Sequence, residues 1–182
     1  MKKLLVTLAI CTGLSAYAND SLTVANNSQD VNENDYAERK ISAITETGMN
    51  YIYGKPFFSI YQAVGAKLNP YVFIGEGVGI QIRNTNQWQF QLLTDLRVHA
   101  LNKWVTPTFT IQAGLNKTGK AALTNEKTQK QLGENSMALN LGTGVLFRVK
   151  ENASFSLTGG YNLNTDFKTN FNGGFVRFAY QF

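Results

Sequence analysis

Gln87 to Leu101 reads QWQFQLLTDLRVHAL, and the alternation inside it sets the class of the fold. Trp88, Phe90, Leu92, Leu96, Val98 and Ala100 occupy one set of alternate positions, while Gln89, Gln91, Asp95, Arg97 and His99 occupy the other. Successive side chains of an extended strand point to opposite faces, so one face of this segment suits hydrocarbon and the other needs polar partners.

The same period runs outward in both directions. Phe58, Ile60, Val64, Ala66 and Leu68 oppose Ser59, Tyr61, Ala63, Gly65 and Lys67. Phe109, Ile111, Ala113 and Leu115 oppose Thr108, Thr110, Gln112 and Gly114, and Met137, Leu139, Leu141, Val145 and Phe147 oppose Asn140, Gly142, Gly144 and Arg148. The pattern predicts strands over 42–53, 57–68, 71–83, 87–101, 105–116, 136–148, 153–163 and 173–182. Most are longer than the ~5 to 6 residues usual in soluble sheets and match the ~9 to 11 that a tilted strand needs to cross a bilayer.

The N-terminal segment belongs to a different regime. Met1-Lys2-Lys3 precedes an apolar run from Leu4 to Leu14, and Ser15-Ala16-Tyr17-Ala18 ends in a small-x-small pattern. This reads as a secretory signal peptide over 1–18, since the apolar run is about half the ~20 residues of a spanning helix. The only cysteine, Cys11, lies inside that run and is preceded by Ile10, which does not fit a lipid-anchor motif. Without it, the mature chain has no disulfide, thiolate nucleophile or cysteine metal site. Residues 19–40 are rich in Asn, Asp, Ser and Glu and read as a flexible polar leader, leaving 41–182 as one domain. Setting Lys2 and Lys3 aside leaves 15 basic residues against 12 acidic, so the formal net charge falls from +5 to +3. So small and scattered an excess gives no reason to expect a nucleic-acid partner. No stretch after the signal reaches 18 continuous apolar residues, which excludes a helical membrane protein.

The connections alternate in length. Asn69-Pro70, Asn102-Lys103 and Val149 to Asn152 are short, whereas 117–135 and 164–172 on the other side are long, although the first two connections on that side are also short. Short periplasmic turns and longer external loops are the expected asymmetry of membrane barrels. A soluble β-sandwich or lipocalin-like barrel is the structural rival, and the end of the chain argues against it. Phe175 to Phe182 reads FVRFAYQF, with Val176, Phe178, Tyr180 and Phe182 on one face, and it resembles the C-terminal signal that marks outer-membrane barrels for insertion. Hydrocarbon offers no water to a free strand edge, so the eighth strand is expected to pair with the first. The expectation is an all-β, closed, antiparallel, eight-stranded up-and-down transmembrane barrel. Eight strands leave an interior that side chains just fill.

The stretches KLNPYVFIGEGVGIQI, LLTDLRVHALNKWVTPTFTIQAGL and GGFVRFAYQF resemble the outer-membrane β-barrel proteins of Bacteroidota, similar in architecture to the OmpX and OmpA membrane domains. The resemblance spans about 41–182 and implies a Gram-negative source, a multi-pass location in the cell outer membrane, and contact with outer-membrane lipid, lipopolysaccharide and the assembly machinery.

Several residues invite chemical readings. Gly75-x-Gly77-x-Gly79 lies inside one strand rather than at a strand-to-helix turn, so it reads as lumen space for large neighbours such as Phe73 and not as a phosphate loop. Glu76 falls by alternation on the lipid face, where a charge is costly, so a local bulge turns it inward, or it is protonated, or it meets a partner. Glu46, Asp95, Arg97 and Arg177 share the lumen face and predict an ion-pair network, with Glu46 near Arg177 and Asp95 near Arg97. His99 is the only histidine and the one candidate general base near neutral pH. Barrel enzymes that modify lipid A resemble acyl-transfer catalysts with histidine and serine facing the outer leaflet. Here His99 points inward, with Leu101 two residues on. The long loop carries Lys117, Lys120, Lys127 and Lys130 against Glu126 and Glu134, a surplus that suits anionic sugar.

These readings name no catalytic, cofactor or metal residues. They favour a non-enzymatic barrel with a structural or surface-interaction role through its external loops, in contact with an external or protein partner of unknown identity. The alternatives are a lipid A-modifying acyl-transfer or hydrolytic enzyme and a narrow pore for small solutes.

Overall fold

The computed structural model describes residues 40–52, 55–84, 87–119, 134–150 and 153–182. The signal segment with Cys11, the polar leader before Lys40, and Lys120, Glu126, Lys127 and Lys130 of the long loop lie outside these residues.

Eight strands follow one another in chain order: β1 (Lys40–Ile52), β2 (Lys55–Asn69), β3 (Val72–Asn84), β4 (Gln87–His99), β5 (Val105–Thr118), β6 (Asn135–Lys150), β7 (Ala153–Thr165) and β8 (Asn170–Gln181). Each pairs antiparallel with its neighbours, and β1 pairs with β8 from Ile44↔Gln181 to Ile52↔Gly173, closing the barrel. Backbone bonds between Ala43 and Phe182, at 2.8 and 2.9 Å, extend that seam to the last residue. Closure leaves no strand edge unpaired, which is what a water-free surround demands. We call the end holding Lys40 and Phe182 the near end, and the other the far end.

The strands lie where the alternation places them, with two differences. β8 begins at Asn170 instead of 173, so the fourth far-end connection is short. Asp166 Oδ1 accepts from the backbone N–H of Lys168 at 3.0 Å and of Thr169 at 2.6 Å, and Phe167 adopts a φ of 66°. That local side-chain turn satisfies the chain and lets the ladder start early. The other difference concerns Glu76. The pairing of β3 with β2 and with β4 is continuous from Phe73 to Ile82, so no bulge turns Glu76 inward. The register shifts fall instead at the strand ends, between Lys67 and Asn69, Ile82 and Asn84, and Arg148 and Lys150, where slack is available because the ladder is ending.

The distribution of residues is inverted relative to a water-soluble barrel. Phe109, Leu115, Leu157 and Val176 face outward with 53 to 61% exposure, while Asp95, Gln112, Asn140 and Asn162 are fully buried inside. Tyr51, Phe58, Trp88 and Phe90 form an outward aromatic group toward the far end. Toward the near end lie Tyr71, Trp104, Phe147 and the ring series Phe178, Phe155, Tyr180 and Phe182, with successive centroids 5.6, 4.8 and 5.4 Å apart. Aromatic rings suit the two boundaries between hydrocarbon and water, because each joins an apolar body to a polarisable or hydrogen-bonding rim. No helix among the described residues is long and apolar enough to cross a membrane, so any crossing is made by strands.

Candidate functional site

The chemically distinctive region is the lumen, and alternation along the strands builds it. Glu46 on β1 sits at its centre, 2% exposed. Its Oε1 accepts from Arg177 Nη1 on β8 at 2.9 Å, and its Oε2 accepts from Arg97 Nη2 on β4 at 2.8 Å. Arg97 and Asp95 are two apart on one strand, hence on the same face, and Arg97 donates to both Asp95 oxygens at 2.8 to 3.2 Å. Gln112 Nε2 donates to Asp95 Oδ2 at 3.0 Å. Arg177 also donates to Gln112 Oε1 at 2.7 Å and, from Nε and Nη2, to Asn50 Oδ1 at 3.3 and 3.0 Å. Its guanidinium lies 4.2 Å from the centre of the Phe175 ring.

The structure thus brings all four lumen residues named from the sequence into one cluster, in the expected pairs, and adds a link from Arg97 to Glu46. Two guanidiniums face two carboxylates, so the cluster is formally neutral. Neutrality and dense hydrogen bonding are what permit charges in so dry a place, since each ion must offset a desolvation cost of several kcal/mol.

Sequence reasoning missed the chain of amides that joins this cluster. Gln81 donates to Gln91 at 2.9 Å, and Gln91 to Asn116 at 3.0 Å. Asn116 donates to Asn164, Asn164 to Asn162 at 2.6 Å, and Asn162 to Asn140. Asn140 then donates to Gln112 at 3.1 Å. Each of these five linking amides uses one N–H and its carbonyl oxygen, so the series runs head to tail into Gln112, which donates to Asp95 and accepts from Arg177. The available signal was the recurrence of Asn and Gln at alternate strand positions, as in Gln89-x-Gln91 and Asn162-x-Asn164.

Apolar groups close the remaining space. Ile52, Phe57 and Phe171 cluster where the far-end connections begin, and Ile44, Tyr61, Ala63, Phe73, Leu93, Ala138 and Ala179 form a second core. Gly75, Gly77 and Gly79 face this core. A Cβ on Gly75 would stand 2.7 Å from the Phe73 ring, and one on Gly77 would stand 2.6 Å from Tyr61 Oη, so the glycines make room for two aromatics.

His99 faces inward near the near end, 6% exposed, with Nδ1 3.0 Å from Thr108 Oγ1 on β5. Thr108 is its register partner, a neighbour that inspection along the chain at Leu101 does not reveal. Among the described residues no group of three or more His, Cys, Asp or Glu side chains is placed to hold a metal ion. Glu76 faces outward and is exposed, between Val64 on β2 and Thr94 on β4. Val176, Phe178 and Tyr180 face outward on β8, followed by Phe182. Of the long loop, Lys117 and Glu134 form an exposed pair at 3.8 Å.

No protein-family model matches the chain, and no curated protein matches its sequence. Among solved structures it is similar to Neisserial surface protein A, with a TM-score of 0.57 at 13% identity over 78% of this chain and 94% of that one. The N-terminal β-barrel domain of Pseudomonas aeruginosa OprF aligns with a TM-score of 0.49 at 15% identity, over 78% of this chain and 97% of that one. Ail, the attachment invasion locus protein of Yersinia pestis, aligns with a TM-score of 0.43 at 13% identity, over 78% and 96% of the two chains. What the first likeness shows is the fold, a closed eight-stranded antiparallel transmembrane β-barrel.

Proposed function

We propose that this chain is a non-enzymatic integral protein of a Gram-negative outer membrane, with its near end in the periplasm and its role carried by the far-end surface. One observation carries the reading: an apolar exterior surrounds a lumen filled by a neutral, mutually hydrogen-bonded set of side chains. A wall of this kind suits acyl chains outside and leaves little room for a solute path inside, so surface contact with lipopolysaccharide or an external partner is the remaining use. The outward series Val176, Phe178, Tyr180 and Phe182 supports recognition by the envelope's assembly machinery. The narrower likeness to Bacteroidota barrels rests on the sequence stretches alone.

The test is cell fractionation combined with surface proteolysis of a tag placed within residues 120–133. Recovery in the outer membrane with the tag cleaved from outside is expected. A soluble periplasmic protein would overturn the reading.

A second reading, acyl transfer on lipid A, has one observation in its favour, the 3.0 Å approach of His99 Nδ1 to Thr108 Oγ1, which is the geometry of a base beside a hydroxyl nucleophile. The pair faces the lumen at the near end, far from an outer leaflet, and for that reason we favour the non-enzymatic reading. Lipid A mass spectra from cells with and without the protein decide between them: identical spectra are expected, and a shift abolished by His99→Ala would establish the enzyme.

A further inference from the structure

We propose that Glu76 and Thr94 form the centre of a two-fold contact between two copies of this chain within the membrane plane, an inference that rests on the membrane reading above. Glu76 stands on the outward face of β3 with an unbroken ladder on both sides, so its direction is fixed by the barrel itself. It lies five positions from Tyr71 at the near-end turn. With a rise of about 3.3 Å per residue and a tilt of about 40°, that places it about 12 Å from the turn, well inside an apolar band about 25 Å tall. Apart from Lys117 at the far rim, it is the only charged residue at an outward strand position among the described residues. No hydrogen bond or ion pair joins its carboxyl to any described residue.

An acid facing acyl chains at that depth is unfavourable, and a contact that supplies a donor relieves it. The structure supplies that donor beside the acceptor. Thr94, also outward and exposed, is the register partner of Glu76 on β4. A two-fold axis along the membrane normal, passing between β3 and β4, lays β3 of one copy against β4 of the other. Each Thr94 hydroxyl then donates to the facing copy's Glu76 carboxyl, so one self-complementary patch satisfies both polar groups twice over. Ile74, Val78, Leu92 and Leu96 flank the pair and give the seam an apolar rim. A partner bearing Lys or Arg would satisfy Glu76 but leave Thr94 without a role, and this chain's own outward belt offers no such cation.

The experiment uses the folded full-length barrel in phosphatidylcholine vesicles, with folding checked by heat-modifiable gel migration. Two variants, Val78→Cys and Leu92→Cys, are each oxidised alone. These register partners lie two residues from the proposed centre, and a strand tilt of about 40° carries one of them toward the two-fold axis and the other away from it. Disulfide-linked dimer is expected from one variant in clear excess over the other, and adding Glu76→Leu or Thr94→Val to that variant is expected to lower its yield about tenfold. Glu76→Leu is also expected to raise the unfolding midpoint of the isolated barrel, because it removes an acid from the lipid face. Loss of dimer alongside a gain in barrel stability separates an interface role from a merely structural one. A folded, inserted protein that gives no disulfide-linked dimer from either variant, or gives the same yield with Glu76→Leu, overturns the proposal while leaving the membrane reading intact. Failure to insert at all overturns the membrane reading itself.

Discussion

Arg177 on the last strand is joined to Glu46 on the first by a 2.9 Å ion pair across the seam where the barrel closes. The backbone ladder there is matched by a buried charge contact, and Glu46 holds a second guanidinium, Arg97, through its other oxygen. Removing one partner strands the other charge in the lumen. Arg177→Met is therefore expected to destabilise the folded barrel by about 3 to 5 kcal/mol. Urea unfolding in lipid vesicles, followed by the fluorescence of Trp88 and Trp104, measures this, and an unchanged midpoint would remove the pair from the account of stability. Adding Glu46→Gln is expected to cost less than the sum of the single changes, because the two act on one contact.

Gly142 on β6 leaves the space that the Phe175 ring occupies. A Cβ there would stand 2.8 Å from Phe175 Cζ, with no other atom nearer than 3.3 Å, so the clash is with one side chain. Gly142→Ala is expected to cost about 1 to 3 kcal/mol by overpacking. Phe175→Leu should recover part of that loss, although it removes the ring against which Arg177 rests. Additive costs in the double variant would show that the two positions do not meet.

Gln112 is the junction between the amide series and the charged cluster, donating to Asp95 and accepting from both Asn140 and Arg177. Gln112→Met keeps the volume but leaves a buried amide and a buried guanidinium each short of an acceptor. A loss of at least about 2 kcal/mol follows, since an unmet buried polar group costs about 1 to 3 kcal/mol. Peripheral members of the series provide the comparison. Gln81→Met, at the far terminus of the chain, removes one bond instead of three and should cost distinctly less in the same unfolding assay.

How much of this was legible follows from distance along and across the wall. Asp95 and Arg97 share a strand, so alternation alone pairs them, and Glu46 meets Arg177 as soon as closure is assumed. The link from Arg97 to Glu46 crosses from β4 to β1, and the amide series crosses β3 to β7. Such contacts depend on how narrow the lumen is, which no local pattern encodes. The expectation of a bulge at Glu76 failed for a related reason. Alternation weighs the cost of Glu76 on one strand alone, whereas two continuous neighbouring ladders hold that strand in place and the irregularities fall at the strand ends. Phe171 falls outside the last strand that alternation predicts, because the Asp166 turn, with its two side-chain bonds and a positive φ at Phe167, reads in sequence as more loop.

A filled lumen has an electrical consequence. The ion pairs and amides are buried in the lumen, with Phe57 and Phe171 buried toward the far end. Planar-bilayer recording of the folded protein is expected to show no steady open level. Steady conductance that disappears on replacing Arg97 or Arg177 would instead make the cluster part of a solute path and revive the pore reading.

Phe182 separates folding from delivery. Its backbone N–H and C=O bond to Ala43 at 2.9 and 2.8 Å, and Ser42 Oγ donates to its carbonyl at 2.9 Å. Phe182→Ala keeps every one of those backbone contacts and removes only the ring stacked on Tyr180, 5.4 Å between centroids. If the ring serves as a recognition element, the variant should fold into vesicles from urea with a stability within about 1 kcal/mol of the parent, since one stacked contact between aromatics contributes about that much. In cells the same variant should reach the outer membrane in clearly reduced amount. Equal reduction in both settings would mean that the ring acts by packing at the seam and not as a signal.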